Sequence, residues 1–436
     1  MSNSSWGNYL PPNQSVHPLL WRTDDLPTSR PLLAFGMGRS YGDVALNEDG
    51  TSISTRFLNH FISFNPETGL LRCEAGVSLG EILKFITPKG WFLPVTPGTK
   101  FVSLGGAIAN DVHGKNHHRA GSFGAYVTQF ELLRSNGRIT CSSQQNTELF
   151  KATIGGLGLT GLITWAEIQL KKAPSRLLAA EATKTEDLTQ TIELLTASLP
   201  AFEYVIASLD SSARGRKTGR GIVLRGNHLP EEERDNSQEK KYYRPPKFTV
   251  PITLPVSLLN SFTIKIFNTL YFYRQIVTKK KYVTHYEPFF YPQDAIGYWN
   301  RLYGRNGFLQ YQCQVTTEKS GETLHTILQE VAAAGFASPI TTLKPLGKKN
   351  TPALLSFPRP GFTLAMDFPH AGEKLLNLFQ KLDDVVLKAG GSLYPAKDAH
   401  MSPAMFRHSY PEAAEFKKYI DPAFSSSFWK RVTKNT

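Results

Sequence analysis

Glycine constrains this chain more than any other residue, because it gathers in three clusters. They are Gly36, Gly38 and Gly42; Gly98, Gly105, Gly106, Gly114, Gly121 and Gly124; and Gly155, Gly156, Gly158 and Gly161. Glycine is the residue for backbone that turns with positive φ or comes close to a ligand. The densest stretch, PVTPGTKFVSLGGAIANDVHGKNHHRAGSFG, runs from Pro94 to Gly124. Gly105 and Gly106 lead into AIAN, expected to be the first turn of a helix, whose free N–H groups would attract an anion such as a pyrophosphate. Just downstream, DVHGKNHH sets His113, Lys115, His117 and His118 close together as titratable groups. A plain glycine-rich turn followed by a solvated loop is the competing reading of this segment alone.

The first cluster follows an apolar run, PLLAFGMGRSYGDVAL, so a strand should feed a loop that offers Arg39 and Ser40 to a phosphate oxygen. It lacks the G-x-G-x-x-G spacing of a dinucleotide fold. Ser78 should cap a helix carrying Leu79, Ile82, Leu83 and Ile86 on one face. YVTQFELLRSNGRITCSS should make a hairpin around Ser135-Asn136-Gly137. The third cluster should enter a strand through Ile163. At 436 residues, two domains are the default. The net charge of +13 suits an anionic partner, either a phosphorylated substrate or an acidic membrane surface. Nucleic acid is not expected, since Lys and Arg are spread along the chain without an RNA-binding aromatic motif. Cys73, Cys141 and Cys313 are odd in number and far apart, so neither a disulfide framework nor a metal site is expected. No signal peptide or apolar membrane span is legible, which points to a cytoplasmic protein.

Taken together and in order, GMGRSYGD, the 94–124 stretch and TIGGLGLTGLIT resemble the flavin-binding half of the vanillyl-alcohol-oxidase-type (PCMH-type) superfamily. Within it, the chain is most similar to the decaprenylphosphoryl-ribose 2′-oxidase family. The likeness extends to YWNRLYG, GFLQYQ, LLSFPRPGF, AMDFPH and GGSLYPAKDAH, and so runs from Pro31 to the C-terminus. It implies an α+β fold: a two-subdomain FAD-binding domain at 1–175, a substrate or cap domain on an antiparallel sheet at 176–392, and a C-terminal segment, 393–436, returning to the FAD domain. FAD would contact Arg39, Ser40, Tyr41, Gly42, Gly98, Thr99, Gly105, Gly106, Ala107, Asn110, His113, Gly114, Gly121, Gly158, Ile163 and Tyr394. Relatives often attach FAD through a histidine in the first glycine loop; Arg39 stands there, so non-covalent FAD is expected.

The same resemblance implies oxidation of the 2′-hydroxyl of a polyprenyl-phosphate pentose, the first half of an epimerisation completed by an NAD(P)-dependent reductase partner. Lys397 would be catalytic, with His113 second and Tyr41 supporting. Lys115, Gln310, Gln312, Lys344 and Lys397 would bind substrate. A thiol-bearing position of the family is Ala365 here. A soluble carbohydrate or alditol oxidase using O₂ is the alternative. The stretch 230–285 opens with charged, Pro-broken LPEEERDNSQEKKYYRPPKF and continues into an apolar helix ended by Arg274 and Lys279, Lys280 and Lys281. It is expected to be a mobile lid touching an anionic membrane, peripheral at the inner membrane, with an ordinary core helix as the competing reading.

Overall fold

Alternation within single strands decides the architecture. The computed structural model describes residues 3–8, 12–230, 248–349 and 351–434, so most of the charged loop, 231–247, lies outside the described residues. In the strand Gly361–Pro369, Phe362, Leu364, Met366 and Phe368 point to one side and Thr363, Ala365 and Asp367 to the other. The strands Phe308–Val315 and Thr341–Leu346 divide alike: Leu309, Tyr311, Cys313 and Leu343 on the apolar side, Gln310, Gln312, Gln314, Thr342 and Lys344 opposite. Their apolar side packs against the helices Leu188–Ser198, Ser320–Ala333 and Glu373–Lys388 in one continuous core. Fully burying one such side chain is worth about 1.5–3 kcal/mol. The polar side is left to face the remainder of the chain.

These strands belong to an eight-stranded sheet ordered 279–285, 177–185, 221–228, 204–209, 341–346, 361–369, 308–315 and 392–393, with every neighbour antiparallel. The N-terminal part builds two further sheets. Leu32–Phe35 pairs in parallel with Thr51–Ser54, which also takes Ser15–Pro18. A five-stranded antiparallel sheet has the order 61–65, 70–74, 162–169, 127–134 and 137–142. The hairpin turns at Ser135-Asn136, where expected. Ser78 caps Leu79–Ile86 in a full capping box with Glu81, and the predicted apolar face is buried. The C-terminal segment returns to the first sheet: Leu32 N–H donates to the Ala423 carbonyl, and Ser425 N–H to that of Leu32.

The second glycine cluster departs from expectation. The helix is Leu104–Ala109, capped by Ser103, so AIAN ends it instead of starting it. Gly105 and Gly106 lie in its first turn, and their N–H groups are taken by the Ala75 carbonyl and Ser103 Oγ. They therefore offer an anion no free donor.

The apolar helix is Ser261–Tyr273. Only Ile264, Asn268 and Phe272 are buried, while Phe262, Ile266, Phe267, Leu270 and Tyr273 are exposed, so it is not an ordinary core helix. Among the described residues no helix is long and apolar enough to cross a membrane, and no three His, Cys, Asp or Glu are grouped to hold a metal. All three cysteines are buried free thiols.

Candidate active site

The three glycine clusters meet around one cavity, between the first sheet, the five-stranded sheet and the polar side of the eight-stranded one. It encloses about 1550 Å³ of empty space, part of it open to solvent, and is lined by Gly36, Gly38, Gly98, Gly105, Gly106, Gly158 and Gly161. Two turns on its wall present unused donors: the backbone N–H groups of Gly38, Arg39 and Ser40, and those of Gly98 and Thr99, make no hydrogen bond to a described residue. Arg39 Nε and Asn110 Oδ1 are likewise buried without a partner. The Arg39 guanidinium lies over the Trp6 ring, 4.0 Å from its centre. A Cβ at Gly98 would meet nothing within 4 Å. Buried polar groups are nearly always satisfied, so this set fits an elongated group with a central anion. A dinucleotide such as FAD fits, with the two turns at its pyrophosphate.

One end of the cavity is polar and titratable. His113, buried, stands 3.3 Å from Lys344 Nζ at Nδ1 and 3.2 Å from the Gln312 amide at Nε2. An ammonium at Lys344 can only donate, so Nδ1 is the acceptor and Nε2 carries the proton. The Gln312 amide must then turn its oxygen toward Nε2, and that oxygen can also accept from Thr363, 3.2 Å away. Burial, then Lys344, holds His113 well below the usual imidazole range, so it is neutral. Burial brings Lys344 down to about 8. Lys397 Nζ sits 3.4 Å from the centre of the Tyr41 ring. Burial pulls its ammonium down to about 7; Asp367 acts against this, and Lys344 adds to it. Asp367, fully buried, accepts from Gln310, while its Oδ2 has no partner. Burial pushes its carboxyl up.

The surrounding elements explain this convergence. Asp111, with φ of +38°, accepts from Ser122, Gly124 N–H, Thr351 and Ser356 at 2.6–2.8 Å. That knot ties the loop carrying His113 to the 351–357 loop, whose Phe357 stacks on Tyr394. Tyr394 in turn donates to the Asn110 carbonyl. Asp294 accepts from Lys100 N–H and so pins the 98–101 turn.

Of the predicted residues, Arg39, Ser40, Tyr41, Gly98, Thr99, Gly105, Gly106, Asn110, His113, Gly158, Ile163, Tyr394, Gln312, Lys344 and Lys397 all border the cavity. Six stand behind the wall. Ala107 is buried in the apolar core. Gly42 packs on Asp398, Gly114 on Thr96 and Gly121 on Lys349. Gln310 is turned to Asp367. Lys115 Nζ donates to the Phe290 carbonyl and is brought to about 7 by burial. His117 and His118 also turn elsewhere: His117 Nδ1 accepts from Gly347 N–H, and His118 Nε2 lies 3.0 Å from the Phe202 carbonyl. Asp294 and Asp367 were missed. For Asp367 a signal existed, a lone carboxylate inside the apolar strand GFTLAMDFP.

Residues 27–142 match the model of the FAD binding domain family. The chain is 37% identical over 415 residues to the decaprenylphosphoryl-β-D-ribose oxidase of Mycolicibacterium smegmatis, covering 92% of this chain and 89% of that protein. It is 30% identical over 368 residues to a Streptomyces coelicolor protein of uncharacterised activity, covering 82% of this chain and all of the other. The Δ(24)-sterol reductase of Homo sapiens is 30% identical over 114 residues, 26% of this chain and 22% of its own.

Proposed function

This chain belongs to the decaprenylphosphoryl-β-D-ribose oxidase family of FAD-dependent oxidoreductases, and from that premise we propose that it oxidises the 2′-hydroxyl of a polyprenyl-phosphate-linked ribose to the 2′-ketone. The reading rests on one observation: a buried lysine of lowered pKa and a neutral buried histidine converge at one end of a glycine-walled cavity. FAD, when bound, supplies the hydride acceptor. The chain's residues manage the proton and the sugar. Neutral Lys397 Nζ takes the hydroxyl proton as general base. His113 Nε2, with Gln312, orients the sugar, and Lys344 offers charge to the substrate phosphate. Tyr41, Trp299 and Tyr303 keep that end dry. We assign FAD binding to 1–175 with 393–436, and substrate binding to 176–392. The keto product requires a reductase, expected to be NAD(P)-dependent, to complete an epimerisation.

The lipid part of the substrate has a place to go. Of the twenty exposed large hydrophobic side chains among the described residues, eleven lie between Phe248 and Val277. Such clustering marks an interaction surface. The stretch also leads to the cavity: Leu258 N–H donates to the Leu302 carbonyl, and Leu259 packs on the Tyr41–Trp299–Tyr303 cluster. Peripheral contact with an anionic membrane follows from this surface.

Two measurements test the reading. Anaerobic bleaching of the flavin is expected with polyprenyl-phosphate ribose and not with free pentitols or sugars; the reverse would make the chain a soluble carbohydrate oxidase. No histidine stands in the first glycine turn, so acid precipitation should release all flavin to the supernatant. A yellow pellet would show a covalent bond.

A further inference from the structure

A second cavity, sharing no lining residue with the first, opens between the 211–220 turn and the helix Ser261–Tyr273. Four cations border it: Arg214, Lys217, Arg220 and Lys265. Two are committed, since Arg220 grips Asp210 through two hydrogen bonds and Arg214 donates to the Ala332 carbonyl. Lys217 and Lys265 have no ion pair or side-chain hydrogen bond among the described residues. Among the described residues the carboxylate paired here is Asp210, and Arg220 already takes it. The hydroxyls of Ser212 and Thr269 share the same wall.

The helix carries two different faces side by side. Ser261, Lys265 and Thr269, four apart, border the cavity. On the adjoining face Phe262, Ile266, Leu270 and Tyr273 are 72%, 45%, 65% and 54% exposed. Ser261 Oγ donating to the Gly335 carbonyl, and Asn268 to that of Ser338, hold the helix in this orientation. A soluble anion would need the basic cavity but not the apolar face. A lipid uses both.

We propose that this cavity seats the phosphate headgroup of an anionic bilayer lipid, with Lys217 and Lys265 as its principal cations, while the neighbouring apolar face enters the acyl boundary. The proposal rests on the membrane contact inferred above and names its lipid site. It also sets which side of the molecule meets the bilayer.

The test uses the full chain with FAD bound, sedimented with vesicles of phosphatidylcholine alone or mixed with phosphatidylglycerol at low salt. Two double variants are compared, Lys217→Glu with Lys265→Glu, and Phe262→Ser with Leu270→Ser. Retained flavin absorbance reports folding. At roughly one kcal/mol per basic residue near an anionic surface, losing both lysines should weaken binding to the mixed vesicles at least thirty-fold. The weaker binding to phosphatidylcholine should persist in that variant and be lost in the apolar one. If the charge-reversed protein binds mixed vesicles like the wild type while the apolar variant does not, the headgroup site is wrong and the membrane contact stands. If the wild type binds no vesicle, both fail. If inorganic phosphate saturates the site and the lysine variant loses only that, the cavity serves a soluble anion and the lipid assignment is overturned.

Discussion

Replacing Lys397 with Ala should slow flavin reduction by substrate about 10²–10⁴-fold, the range for loss of a general base, while FAD stays bound. The backbone there does not depend on the side chain. Lys397 N–H donates to the Tyr394 carbonyl, and Asp398 beside it is anchored independently. Taking a buried ammonium out of a dry site relieves a desolvation cost, so stability should hold or rise. The pH profile separates base from cation. A neutral lysine is the acting form, so the rate should climb as pH rises through about 7, where burial has brought Lys397, and not near the ordinary 10.5. Asp367 is the anion that opposes this lowering. Asp367→Asn should therefore move the rise to lower pH, with FAD content unchanged. Stopped-flow reduction under anaerobic conditions reads both. A rate that falls across the same range would make Lys397 a cationic stabiliser of the alkoxide, and near-normal reduction in Lys397→Ala would remove Lys397 from the reaction.

What the sequence could convey depended on how local the deciding forces were. Ser78 caps its helix because the Ser78–Glu81 exchange is complete within four residues, and Ser135-Asn136 turns its hairpin for the same reason. The start of Leu104–Ala109 was misread because its glycines looked like a loop. Their amides are satisfied by Ala75 and Ser103, and the Ala75 contact is tertiary. Side-chain direction in DVHGKNHH was out of reach for a similar reason. Asp111 fixes that loop through donors from 351 and 356, far along the chain. Hence His113 faces the cavity while Lys115, His117 and His118 face Phe290, Gly347 and Phe202. Gln310 and Gln312, two apart in one strand, share a face, but only the register with Gly361–Pro369 sets Gln310 opposite Asp367 and Gln312 opposite Ala365, within reach of Thr363.

Arg431→Met should destabilise the protein by about 3–5 kcal/mol, because it strips two largely buried carboxylates of the guanidinium they share. Arg431 Nη2 lies 2.7 Å from Asp43 and 2.8 Å from Asp398, so one guanidinium joins the turn after Tyr41 and Gly42 to the turn after Lys397. Gly42 completes the joint: a Cβ there would lie 1.7 Å from the Asp398 carbonyl oxygen. The clamp holds Tyr41 beneath Lys397, so Arg431→Met should also lower the rate of flavin reduction in whatever fraction stays folded. Its pH dependence follows from His400, which sits 3.1 Å from Asp398 and 3.2 Å from Asp383. The carboxylates outweigh burial and raise the imidazole from 6.5 to about 9. A folded value above the unfolded one stabilises fully below about 6.5 and is lost as pH rises through about 9. The amount is about 3 kcal/mol at 1.36 kcal/mol per tenfold change in proton affinity. Asp398 has the opposite sign: Arg431 and His400 overcome burial and depress it far below 3.8, so its stabilisation is present above that value and lost only in strong acid. Lys115, Lys344 and Lys397, lowered by burial, titrate in the same interval with the opposite sign, so the His400 contribution is read as a difference: the stability lost in denaturant unfolding on His400→Gln should be largest below pH 6.5 and shrink between pH 6.5 and 9. A wild-type minus His400→Gln difference that stays level over this interval would mean His400 is neutral in the folded protein, with no part in holding Asp398.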